Sequence, residues 1–68
     1  MKPRFNEKDR VMELKGSFIY IVDDIYWEGK EEEPPIYSVH SVDSPYVNHL
    51  FREEELKLVG YSNYMNYV

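Results

Sequence analysis

Apolar and polar positions along the chain change rhythm several times, and the longest apolar stretch, Ser17 to Trp27, sets the scale for the rest. It reads Ser-Phe-Ile-Tyr-Ile-Val-Asp-Asp-Ile-Tyr-Trp, with no glycine or proline inside it. Phe18 to Val22 are β-branched or aromatic in succession. Such side chains lose χ1 freedom against a preceding helical turn, so the run predicts a long strand over Phe18 to Trp27. With a period of two, Ile19, Ile21, Asp23, Ile25 and Trp27 share one face, and Phe18, Tyr20, Val22, Asp24 and Tyr26 the other. Neither face is cleanly polar. A bulge or sharp bend near Asp23-Asp24 would let both halves turn apolar side chains to the inside of a curled sheet.

Shorter runs on either side are cut to pair with that strand. Lys2 to Asp9 is an irregular lead-in whose one large apolar residue, Phe5, is expected to cap one end of the core. Arg10 to Lys15 predicts a first strand, ended by the turn Lys15-Gly16-Ser17. Glu28 to Pro35 holds a glycine, two prolines and four carboxylates, which make a loop with an extended exit. Ile36 to Val42 is the third strand, where Tyr37 and Val39 alternate with Ser38 and His40 and His40 is expected to face solvent. Asp43-Ser44-Pro45 is a turn, because Asp and Ser side chains bond their own backbone. Tyr46 to Phe51 follows as a fourth strand, with Val47 and Leu50 or Phe51 reaching inward. Arg52 to Leu56 is too short for an independent helix but suits one turn with its acids at the favourable dipole end. Lys57-Leu58-Val59 closes the set before Gly60.

Five short strands with a single turn before the last predict an all-β fold, a small five-stranded SH3-like barrel over residues 1–60. An OB-fold, the main rival, usually needs a longer chain. Residues 61–68 form a tail with tyrosines at 61, 64 and 67. They suit either a stripe on a helical turn against the barrel or a frayed end with some tyrosines docked. Sixty-eight residues make at most one domain, which buries only about 60% of its unfolded surface. Cysteine is absent, so neither disulfides nor thiolate zinc sites reinforce it. Packing must do so, and seven Tyr, three Phe and one Trp supply the area.

Charge narrows the partners. Residues 1–22 carry five basic and three acidic groups, whereas residues 23–59 carry three basic and ten acidic ones. An acidic surface repels phosphate backbones and attracts basic segments. No apolar run approaches the roughly 20 residues of a membrane-spanning helix, and the polar start has no signal-like apolar core. No membrane association and a cytoplasmic location are therefore expected.

Asp9-Arg10-Val11, then Gly16-Ser17-Phe18, then Val22 with Ile25, is similar to the opening of SH3-like barrels of the KOW and Tudor kind. The Tyr37-x-Val39 strand and the ending Glu53-Glu54-Glu55-Leu56-x-Leu58-Val59 resemble those of small phage and prophage barrels. Nearly the whole chain resembles a small prophage barrel protein of Bacillus. The resemblance implies the fold and carries no functional residues with it. The chain departs from the KOW pattern in lacking the second glycine before the valine and in its acid-rich second half.

Asp23, Asp24, Glu28 and Glu31 to Glu33 match no calcium-loop spacing and read as a solvated charge run. His40 and His49 stand nine apart without cysteine, so no metal or other cofactor is expected. None of the serines sits in a nucleophile motif and there is no phosphate-cradling glycine loop. The chain is expected not to be an enzyme. Tyrosine and tryptophan in excess of one small core point instead to binding, since aromatics concentrate in hot spots. The candidate partner-binding residues are Tyr20, Tyr26, Trp27 and Tyr37, with Glu31, Glu32 and Glu33 as an acidic rim. The expected partner is a protein bearing a basic or proline-rich segment, bound by a monomer. A different reading uses Lys2, Arg4, Lys8, Arg10 and Lys15 against nucleic acid, with aromatics stacking bases. An acidic mimic of DNA is a third, resting on the net charge of −5 alone.

Overall fold

In the computed structural model, which describes residues 2–27, 29 and 32–60, the strands are β1 (Arg10–Glu13), β2 (Ile19–Tyr26), β3 (Ile36–Ser41), β4 (Asn48–Arg52) and β5 (Leu56–Gly60). All pair antiparallel in one sheet of order β4-β3-β2-β1-β5, and a 3-10 turn, Glu53–Glu55, precedes β5. That order, with its turn before the last strand, is the SH3-like barrel. Strands consecutive in sequence pair as hairpins until the turn carries the chain from β4 to the far side of β1.

The curvature comes from β2. Val22 pairs with Val39, Asp24 with Ser38 and Ile25 with Tyr37, so Asp23 is the extra residue of a β-bulge. Tyr20, Val22 and Ile25 consequently reach the core, a spacing of two and then three. A flat strand would have turned Asp24 inward and Ile25 out. Asp23 instead lies on the outer surface, where both carboxylate oxygens stand 2.8 Å from Nδ1 of His40. Strand alternation alone places His40 in solvent. It is half-buried instead, because the bulge delivers a carboxylate onto its ring.

The lead-in braces the same place. The Lys8 N–H donates to the Val22 carbonyl (2.7 Å) and the Val22 N–H to the Asp9 carbonyl (3.0 Å). A turn makes this possible: the Asn6 N–H donates to Asp9 Oδ2 (2.8 Å), the Asp9 N–H to the Asn6 carbonyl (3.1 Å), and Lys8 takes φ 71°. Phe5 is thereby set into the core with Val11, Tyr20, Val22, Tyr37, Val39 and Leu56. Ile25, Phe51 and Leu58 pack against this cluster.

β4 departs from expectation. It begins at Asn48, because the Val47 N–H is committed to the Ser44 carbonyl (3.2 Å) in the preceding turn. Register with β3 then sends His49 and Phe51 inward with Val39 and Tyr37, while Leu50 sits outside opposite Ser38. Val47, expected in the core, is 53% exposed; of the alternatives Leu50 and Phe51, Phe51 packs against the core and Leu50 is 68% exposed. The closing turn is tied on both sides: the Glu55 carboxylate accepts from the Arg52 N–H (2.9 Å) and its carbonyl from the Leu14 N–H (3.0 Å). The tail 61–68 lies outside the described residues.

Candidate functional site

The structure divides the predicted aromatic set. Tyr37 is fully buried, its ring meeting Phe5 edge-on at 5.2 Å. Its hydroxyl donates to Glu53 Oε2 (2.7 Å) and accepts from the Phe5 N–H (3.3 Å). Glu53 Oε2 also accepts from the Arg4 N–H (3.0 Å), so one buried carboxylate gathers the lead-in, β3 and the 3-10 turn. Burial first, and then the bond to Glu53, pushes the Tyr37 hydroxyl well above its ordinary pKa. Tyr20 is likewise buried, with its ring 5.4 Å from His49 and 5.3 Å from Phe51. Its pKa is raised by burial and by the carboxylate of Glu13. Neither Tyr37 nor Tyr20 therefore belongs to an exposed binding surface. The small core needs their area, and a glutamate beside each hydroxyl lets it go inside.

Tyr26 and Trp27, at the far end of β2, remain 50% and 43% exposed. Asp24, Glu32 and Glu33 are exposed on the same strand and the loop after it, and Glu31 lies outside the described residues. Strand register sets Ile36 between Tyr26 and Arg52. Ile36 also floors a shallow cavity of about 190 Å³ with Glu33, Pro34, Pro35, Arg52 and Glu53. Of the expected set, Tyr26, Trp27, Glu32 and Glu33 are exposed, whereas Tyr20 and Tyr37 are core residues.

At the opposite end of the sheet lies a cleft absent from the sequence reading. It holds about 310 Å³ between Phe18, Tyr20, Ser41, Ser44, Val47 and His49. Phe18 and Val47 are exposed along it. Its one sequence signal is a large apolar residue, Phe18, directly after the Gly16-Ser17 turn.

The remaining chemistry is dispersed. His40 is engaged by Asp23 on the outer face, while His49 stacks inward against Phe51 at 6.1 Å. Among the described residues no group of three His, Asp or Glu side chains could hold a metal ion. The Arg4 guanidinium lies 5.2 Å over the Phe5 ring, and Arg10 is half-buried. Lys2, Lys8 and Lys15 are exposed along the lead-in and the β1–β2 turn. No helix among the described residues is long and apolar enough to cross a membrane. Comparison with protein-family models, curated proteins and solved structures finds no match to this chain.

Proposed function

We propose that the chain is a non-catalytic protein-interaction module, of the kind its likeness to small prophage barrels suggests. It binds a basic segment of a partner protein at the β2 end. One observation carries this reading: Tyr26 and Trp27 stay half-exposed at the end of β2, with Asp24, Glu32 and Glu33 exposed on the same strand and the loop that follows it. A guanidinium or ammonium group seated on an aromatic face gains about 0.5–2 kcal/mol, more as it is desolvated. Carboxylates around the rings speed encounter and set the sign of the charge accepted. Prolines in the bound segment would keep it extended at low entropic cost.

Trp27 is the chain's one tryptophan, so its fluorescence reports directly on the surface. Titration with a peptide alternating lysine or arginine with proline should shift that emission, and added salt should weaken the effect. A glutamate-for-lysine version of the peptide should produce no change. Tyr26→Ala should weaken binding severalfold while leaving the unfolding transition in place. A peptide that binds Tyr26→Ala as tightly as the natural chain would place the contact elsewhere.

A further inference from the structure

We propose that the free edge of β4 pairs antiparallel with β4 of a second copy of this chain. In a strand, the backbone groups of successive residues point to opposite edges. The Arg52 N–H turns to the Glu55 carboxylate, not to β3. Leu50 and Asn48, at alternate positions before it, aim their N–H and C=O the same way, while His49 and Phe51 bond to Val39 and Tyr37. β3 agrees, because the Val42 N–H bonds the Ile19 carbonyl and so commits His40 and Ser38 toward β2. Among the described residues nothing pairs with the outward backbone of Asn48 and Leu50. Edges left this way are ordinarily protected by lysine, proline or a bulge. β5, the other edge, has the exposed Lys57 and an irregular register where Gly60 and Leu58 meet Arg10 and Val11. β4 has no such protection: Asn48-His49-Leu50-Phe51 contains neither lysine nor proline, and its register with β3 is unbroken.

The edge matches its own image. Pairing about His49 sets Asn48 of each copy against Leu50 of the other, as pairs that exchange both N–H···O bonds. No lysine, arginine or carboxylate then faces its like, which would be destabilising. Val47, 53% exposed, comes opposite Phe51 of the other copy. Since Val47 lines the cleft of about 310 Å³ with Phe18 and His49, that phenylalanine extends the apolar row along it. Charge names the occupant. Asn48 to Phe51 offer no carboxylate to a basic peptide, and Arg52 at one end calls for a strand with an acid at the opposite end. This same chain supplies one: the exposed Asp43 lies in the turn just before β4, and Tyr46 beside it is 98% exposed. An edge this short buries less than about 1,200 Å², the class of weak contacts, so the chain is single when dilute and pairs when concentrated.

Sedimentation equilibrium of the full-length chain, from about 10 μM to about 1 mM in about 0.15 M salt, should show the average mass rising from one chain toward two. Amide shifts of Asn48 and Leu50 should move over the same range, while those of Lys57 and Val59 on β5 hold still. Leu50→Lys, at a side chain already 68% exposed, should keep the chain single throughout and leave its unfolding midpoint, measured dilute, unchanged. Leu50→Pro, which deletes an outward N–H, should also remain single. A single-chain mass up to the highest concentration would overturn the proposal. So would pairing that both variants leave intact, or shifts confined to Lys57 and Val59, since another surface would then be in use.

Discussion

Replacing Tyr37 by phenylalanine tests the polar knot at the centre of the barrel with almost no change of volume. The substitution removes the donor 2.7 Å from Glu53 Oε2 and the acceptor 3.3 Å from the Phe5 N–H. Glu53 stays buried and, among the described residues, keeps the Arg4 N–H at 3.0 Å. Hydrogen bonds to charged groups contribute about 1.5–3 kcal/mol, and an abandoned buried carboxylate lies at the upper end. A loss of about 2–3 kcal/mol is therefore expected. Cores of this size seldom supply more than about 3–5 kcal/mol, so much of the fold's stability would go. With a urea dependence near 1 kcal/mol per M for so small a chain, the midpoint should fall by about 2–3 M. Glu53→Gln keeps an oxygen acceptor without the charge and should cost about 1 kcal/mol. The double variant should fall well short of the sum, because the first change removes what the second would weaken. A Tyr37→Phe midpoint within about 0.5 M of the natural chain, or strict additivity in the cycle, would refute the assignment of Glu53 as the knot.

Three further outcomes follow from the same geometry. Tyr37 and Tyr20 hold their protons more tightly when folded than an ordinary tyrosine with its pKa of 10.0, so both contribute stability fully below pH 10 that drains away as pH rises beyond it. Melting temperature measured upward from pH 8 should stay level and then fall, and Tyr37→Phe should make the fall shallower. Val22→Ala, at a fully buried position, should cost about 2 kcal/mol in urea unfolding, whereas Leu50→Ala, 68% exposed, should cost under about 0.5. Gly29 holds φ 85° with open space where a Cβ would stand, so Gly29→Ala should cost about 1 kcal/mol in the same unfolding assay, through backbone strain alone.

The fold was largely legible in the chain because local signals agreed. Gly16, Pro34-Pro35 and Asp43-Ser44-Pro45 separate segments too short and too β-branched or aromatic for helices. The bulge at Asp23-Asp24 was legible as well, since two consecutive carboxylates in an apolar strand force the inward parity to change. Register was less accessible. Leu50 and Phe51 are adjacent and both apolar, and only pairing with Ser38 and Tyr37 decides that Phe51 goes inside.

Burial of polar groups was the part that sequence by itself left open. Seven tyrosines look alike along the chain, yet Tyr37 is enclosed and Tyr26 is half out in water. The difference is made by Glu53, sixteen residues away, which accepts a hydrogen bond from the Tyr37 hydroxyl and offsets the cost of burying it. Glu53 in turn reads as one of three identical carboxylates until the 3-10 turn aims it inward and leaves Glu54 and Glu55 outside. Alternation and turn chemistry act over a few residues, so the amino-acid order alone determined where strands begin and end. Which side chains a hydroxyl or carboxylate can meet depends on closure of the sheet, and only the tertiary structure decided that.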